Sequence, residues 1–249
     1  MIAEFYDQLA PYFQYVYADW EASVKQQAAM LDGIIREFFG SNVRSILDAA
    51  CGIGTQSLGL AALGYTITAS DISRGAVERA RASAQQRKLE IDFRIADMRA
   101  LREVIPESFD VVIACDNAVP HLLTDNDILQ AFRQFYDCTT PQGGCIISVR
   151  DYANLERGGR QVRSCRVHNI PGGQLFTFDM WDFDGDYYDL SIYTVEDRGR
   201  PEAVTHVARG GRYYCVTLNR LEQLLKQAGF GQVVILRERF FQPMLVGLK

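Results

Sequence analysis

Apolar residues follow two distinct rhythms along this chain. From Trp20 to Phe39 they recur at helical spacing (Val24, Ala28, Leu31, Ile34, Ile35, Phe38), and Gly40 follows as a C-cap. From residue 43 the pattern becomes short continuous apolar runs at 43–50, 65–70, 91–95, 109–115 and 144–149. Helix-like stretches at 55–63, 73–88, around Leu101 and at 125–138 lie between them, and the last leads to a turn at Pro141-Gln142-Gly143-Gly144. Continuous apolar runs joined by helices predict an α/β fold, with a doubly wound, mostly parallel sheet covered on both faces.

After Arg150 the rhythm changes again. Residues 151–172 are polar and glycine-rich. Segments 174–183, 187–196 and 203–209 then alternate with period two, separated by Asp184-Gly185-Asp186 and Asp197-Arg198-Gly199-Arg200. Turns this short predict antiparallel hairpins. Thr217 caps a helix at 218–228 that Gly229 ends, and strands at 232–237 and 240–248 bring the main sheet to seven. The chain reads as one domain, 1–249. It comprises an N-terminal helical lid (1–40), a core (41–150), a β-rich insertion (151–212), and a closing helix with a strand pair (213–249).

Composition narrows the function classes. Of 249 residues, 48% are hydrophobic and 23% charged, which excludes disorder and coiled coil. A net charge of −5 disfavours nonspecific binding to nucleic acid or an acidic membrane. No apolar run has the length of a membrane span, and the acidic start of the chain lacks a signal-peptide pattern. The six cysteines form no CxxC pair, which reads as reduced thiols in a cytoplasmic protein. With the three histidines also scattered, no metal site is expected. Asp182-x-Asp184-Gly185-Asp186 resembles the start of a calcium loop, but its twelfth position is Tyr193, so a hairpin turn is the better reading.

The strongest chemical signal is Leu47-Asp48-Ala49-Ala50-Cys51-Gly52-Ile53-Gly54-Thr55, a strand, glycine turn and helix start. Glycines there let a ligand approach the backbone, and helix N-termini favour anions. Such a turn serves NAD, FAD and S-adenosylmethionine alike. Asp48 distinguishes them: a carboxylate before the first glycine suits a ligand bearing an ammonium group rather than a pyrophosphate. Ser57 also replaces the third dinucleotide glycine. Asp71, ending the second run and followed by Ile72, can accept hydrogen bonds from ribose hydroxyls. Asp97 and Met98, after the third run, can take an adenine amino group and flank its ring, although Asp97 reads equally as a turn residue.

In this order, with Phe109-Asp110-Val111-Val112, these motifs resemble the class I S-adenosylmethionine-dependent methyltransferases over residues 43–150 and the closing elements. Residues 112–122, 147–152 and Arg212-Tyr213-Tyr214 resemble the glycine/sarcosine N-methyltransferase branch. The resemblance implies a Rossmann-like methyltransferase fold that uses S-adenosyl-L-methionine and releases S-adenosyl-L-homocysteine. Ala49, Ile72 and Asp116 join the cofactor set by that resemblance. It implies a small-molecule acceptor, most simply an amine bearing a carboxylate, with O- or C-methylation as alternatives.

The resemblance places Arg150 on the acceptor's carboxylate, Asn117 beside the transferring methyl, and one tyrosine of Tyr213 and Tyr214 in the acceptor pocket. Tyr214 is preferred, and Tyr152 is a further candidate. Against these stand a salt bridge from Arg150 to Asp151 and an Asx-turn at Asn117. His121 reads as a general base or as a cap for the next segment. Tyr6, within Phe5-Tyr6-Asp7-Gln8-Leu9-Ala10, resembles the lead-in that closes over the cofactor, and Trp20 would complete that lid. The branch's arginine for the cofactor carboxylate falls on Val24 or Lys25, with Lys25 or Gln26 as substitutes. The insertion would wall the pocket or mediate oligomer contacts. Competing readings are an NAD-dependent oxidoreductase and a non-catalytic cofactor-binding protein.

Overall fold

The computed structural model describes residues 2–249. Five strands run parallel: β1 (Ser45–Asp48), β2 (Thr66–Asp71), β3 (Ile91–Ile95), β4 (Phe109–Ala114) and β5 (Thr139–Ser148). Two closing strands, β10 (Gln232–Leu236) and β11 (Met244–Leu248), extend the sheet beyond β5. The order is β10-β11-β5-β4-β1-β2-β3, and β11 runs antiparallel to both neighbours. The seven-stranded, mostly parallel sheet expected from the apolar runs is therefore present.

Helices α2 (Trp20–Phe39) and α3 (Thr55–Ala62) share an apolar core with one face of the sheet. Helices α5 (Asp125–Asp137) and α6 (Leu218–Ala228) share a second core with the other face. Helix α4 (Arg74–Gln86) adds Val77, Ala80 and Ala84 to the first. Side chains cap the N-termini locally: Asp19 accepts from the Ala22 amide, Ser73 from Ala76 and Thr217 from Arg220. Gly229 ends α6 at φ +118°, a conformation costly for other residues.

Gly59 lets α2 and α3 touch. A Cβ there would sit 2.4 Å from the Val24 carbonyl oxygen and 2.5 Å from the Ala28 Cβ, and neither is a flexible tip. Gly59→Ala is expected to destabilise the protein by about 2 kcal/mol, read as a lower urea midpoint at unchanged slope. Wild-type stability in this variant would show that the helices part freely.

The second sheet comprises β6 (Arg160–Ile170), β7 (Gly173–Asp184), β8 (Tyr187–Asp197) and β9 (Val204–Tyr214), all antiparallel. Strand β6 lies where the sequence predicted only a polar stretch. It is an edge strand whose Val162 and Val167 face solvent while Arg163 and Arg166 are half-buried, the reverse of ordinary patterning. Strand β9 continues to Tyr214, past the expected 203–209. Pro141-Gln142-Gly143-Gly144 is not a turn but a bulge inside β5: Thr139 pairs with Phe109, whereas Gly144 pairs with Val111. Strand β11 begins at Met244, later than residue 240. Asp184-Gly185-Asp186 forms the β7–β8 hairpin, with Gly185 at φ +59°.

Helix α1 (Ile2–Leu9) inserts Phe5 against the inner face of the second sheet, beneath Gly211. No described helix is long and apolar enough to cross a membrane. Among the described residues no His, Cys, Asp and Glu group could hold a metal ion. Five cysteines are buried and free, and Cys165, on the edge strand, is exposed.

Candidate active site

A cleft of about 250 Å³ opens at the carboxyl ends of β1, β2, β3 and β4. Parallel α/β sheets place ligands there because the strand-to-helix loops diverge. Ala49, Gly52, Asp71, Ile72, Asp97, Met98, Asp116, His121 and Tyr6 line it, so nine sequence-predicted positions converge from distant parts of the chain. Gly52 adopts φ +52°, and a Cβ on it would approach the Phe13 ring to 3.3 Å. Asp71 fixes the turn: its carboxylate accepts from the Gly52 amide at 2.8 Å and the Ser73 amide at 2.9 Å.

Asp48 does not face this cleft. It is 1% exposed and accepts from the Ser57 hydroxyl at 2.6 Å, beneath the first turn of α3. Burial pushes its carboxyl up to about 7, against the lowering effect of the Ser57 bond. Folding therefore favours the protonated form of Asp48. Its contribution to stability is complete below the usual carboxylate range near pH 4 and is lost as pH rises to about 7. Asp48→Asn is expected to remove the decline of thermal midpoint between pH 5 and pH 8. Parallel pH profiles for the two proteins would refute this.

Gly54 is the α3 N-cap at φ +88° and stands behind the cleft lining. Trp20 is likewise absent from the lining. Its indole donates to Thr55 Oγ1 at 2.9 Å, pinning α2 to α3. The N-terminal aromatics in the cleft wall are Tyr6, Phe13 and Tyr17. Lys25 and Gln26 are exposed on α2, and Val24 packs over Gly59, so none lines the cleft. Gln27 takes that inward position and accepts from Gln56 at 2.6 Å; Gln56 lines the cleft.

Asp116 and Asn117 follow β4 in consecutive left-handed conformations, φ 55° and 67°. The two types tolerate this backbone better than most. Ser148 holds the turn: its hydroxyl accepts from the Asp116 amide at 2.8 Å, and its carbonyl from the Asn117 amide at 3.0 Å. The turn aims Asp116 into the cleft, where Tyr17 donates to its carboxylate at 2.7 Å. Burial raises the Asp116 and Asp71 carboxyls above the ordinary range.

Asn117 turns away from the cleft lining. Its amide donates to the Tyr152 hydroxyl at 2.7 Å, and its carbonyl oxygen accepts from the Arg150 amide at 3.0 Å. It clamps two other candidates rather than facing open space. Arg150 makes no salt bridge to Asp151, which pairs with Arg237 instead. Its guanidinium lies 4.4 Å from the Trp181 ring centroid and donates to the Tyr188 hydroxyl at 3.0 Å. Tyr152 is fully buried, with its hydroxyl 3.2 Å from that of Tyr188.

Tyr214, the preferred member of its pair, points away from the second sheet's inner face. It packs beside Tyr187 and faces Asp125 of α5. Tyr213 points inward, stacked 4.8 Å from Tyr188 and 3.8 Å from His121. Alternation along β9 decides this, and the sequence alone did not fix its phase. His121 sits in the cleft wall at the end of a hydrogen-bonded chain. Its Nδ1 lies 2.9 Å from the Arg212 carbonyl oxygen, which can only accept, so Nδ1 carries the proton. Nε2 therefore accepts from Tyr6 at 2.7 Å, and Tyr6 is 3.2 Å from the Tyr213 hydroxyl. Burial lowers the imidazole to about 4, so it is neutral at pH 7. Sequence reading missed Phe13, Tyr17, Trp181 and Tyr188. Their only signal was a general abundance of aromatics.

Residues 46–143 match the family model for a methyltransferase domain. Over that span the chain carries a methyltransferase domain, and the order of its motifs resembles the class I S-adenosylmethionine-dependent methyltransferases. It is 30% identical over 145 residues to a glycine/sarcosine N-methyltransferase of Parasynechococcus marenigrum (strain WH8102), covering 58% of this chain and 50% of that protein. The chain spans about half the length of the curated relatives it matches first. Its fold resembles Streptomyces venezuelae DesVI, with TM-score 0.79, 17% identity and coverage of 90% and 91% of the two chains. It also resembles S-adenosylmethionine-bound CalS10, an amino pentose methyltransferase from Micromonospora echinaspora, with TM-score 0.76, 16% identity and 91% coverage of each chain.

The donor of that class fits the cleft. Four carboxylates line it (Asp71, Asp97, Asp116 and Asp127) against one guanidinium, Arg99, which pairs with Asp97 and Asp127. Asp71 and Asp116 have no such partner among the described residues. This field suits a ligand with sulfonium and ammonium charges and opposes a pyrophosphate. Asp48, expected to meet the donor's positive charge, is not among these lining acids.

Proposed function

We propose that this protein transfers a methyl group to the amine of a small molecule. The observation that carries the reading is Asp116. It stands in the acidic donor cleft, and its charge is felt by Arg150, whose guanidinium lies among Trp181, Tyr188 and Tyr152. One turn of chain thus joins the donor cleft to the guanidinium of Arg150 and its aromatic surroundings.

S-adenosylmethionine, when bound, supplies an activated methyl group on a cationic sulfur. Asp71 would accept from the ribose hydroxyls, Met98 and Ile72 would flank the adenine, and Asp116 would face the positive end. Aromatic faces of Tyr6, Phe13 and Tyr17 further favour a cation there. Arg150 would hold the acceptor's polar end, with Tyr213 beside it. Asn117 acts as a positioning residue, because its amide fixes both Arg150 and Tyr152. His121 is neutral but already accepts from Tyr6, so it orients Tyr6 rather than removing a proton. An amine bound in its neutral form needs alignment and a dry site more than a strong base. The segment 1–40 serves as the lid, and the second sheet walls the acceptor side.

The similarity to glycine/sarcosine N-methyltransferases supports an amine acceptor. The test is incubation of the protein and S-adenosylmethionine with a panel of small amines, alcohols and carboxylates, followed by mass spectrometry. Expected is a methylated amine with stoichiometric S-adenosylhomocysteine. Product confined to oxygen or carbon would overturn the amine assignment. Binding of NADH in preference to S-adenosylhomocysteine would overturn the whole reading.

A further inference from the structure

We propose that Arg166, Thr177, Asp179 and Trp181, on the inner face of the second sheet, form a subsite for a hydroxylated arm of the acceptor. This rests on the methyl-transfer reading above and concerns the other end of the substrate. Arg166 pairs across the β6–β7 ladder with Thr177, while Asp179 and Trp181 follow on the same face. Leu175, Leu190 and Ile192 point the same way, so apolar residues fit this surface.

Yet polar atoms are buried here without hydrogen-bond partners: Arg163 Nε, Arg166 Nη1, Thr177 Oγ1, Asp179 Oδ1 and Trp181 Nε1, with Arg163 opposite Asp179 on the same ladder. Burying five such groups unpaired opposes folding, and the pattern persists best where a ligand completes it. Asp179 and Arg166 do not close an ion pair on each other, although the charges of Arg166 and Arg150 both act on Asp179. The cluster is continuous with the proposed site. Arg150 stacks on Trp181, and both Arg150 and Arg166 act on the Asp116 carboxylate in the cleft wall.

The donor–acceptor balance identifies the chemistry. The guanidinium and indole can only donate, the carboxylate only accepts, and the threonine hydroxyl does either. A carboxylate arm would leave Asp179 facing an anion. An aliphatic arm would leave all five atoms unpaired. Neighbouring hydroxyls both donate and accept, so a polyhydroxylated amine satisfies the whole set.

Calorimetry on the full chain saturated with S-adenosylhomocysteine tests this, using glucosamine and cyclohexylamine, two amines of matched ring size. Glucosamine is expected to bind at least about tenfold more tightly, and Asp179→Asn or Thr177→Val should each abolish that advantage. Cyclohexylamine and S-adenosylhomocysteine affinities should stay unchanged in both variants. If Asp179→Asn loses its fold by circular dichroism, Thr177→Val, of equal size, decides. Equal affinity for the two amines, no binding of either, or a glucosamine advantage that survives both substitutions overturns the subsite. Each of those results leaves methyl transfer standing, whereas failure to bind S-adenosylhomocysteine overturns methyl transfer instead.

Discussion

Asp116→Asn is expected to weaken S-adenosylmethionine binding about 100-fold while weakening S-adenosylhomocysteine far less, as measured by calorimetry. The two ligands differ by one methyl group and one positive charge. The substitution changes charge with little change of shape, and asparagine tolerates the φ of 55° at this position. Asp116 lies in the cleft wall, half-buried, with the Tyr17 hydroxyl as its side-chain donor. A cation placed beside it is screened little, so the charge pair is strong. Tyr17→Phe removes that donor and keeps the charge, and is expected to cost about tenfold at most. Equal losses for both ligands in Asp116→Asn would reduce the residue to a structural role in its turn.

Arg150→Ala is expected to raise the acceptor KM about 100-fold and leave S-adenosylhomocysteine affinity nearly intact. The guanidinium is held by the Trp181 face and the Tyr188 hydroxyl, so it is pre-oriented before any ligand arrives. The Asn117 clamp engages the Arg150 backbone amide and survives the substitution. Arg150→Lys keeps the charge but loses the planar stack, and should recover only part of the effect. Comparable loss of donor and acceptor binding with a preserved fold would refute the assignment.

Parts of this machinery were legible residue by residue. Asp71, Met98 and Gly52 stand at fixed offsets from apolar runs, and a run that ends in an acid or glycine at a strand's carboxyl end reaches the cleft in any doubly wound sheet. The edge strand β6 was not legible, because its valines face solvent and its arginines face inward. A hydrophobic rhythm cannot report a surface that is polar by purpose.

The sequence alone determined the seven-stranded α/β core, its helix caps and the glycine turn. Those depend on local pattern, on burial of continuous apolar runs and on backbone preferences within a few residues. Only the tertiary structure decided which acids face the cleft. Asp48 and Asp116 both follow or end buried strands, yet one turns beneath α3 to Ser57 and the other into the cleft. It also decided that Tyr213 points inward while Tyr214 faces α5, and that Trp181 and Tyr188 surround Arg150. Those choices depend on strand phase and on pairings across more than thirty residues, such as Arg150 with Tyr188, which a one-dimensional pattern does not encode.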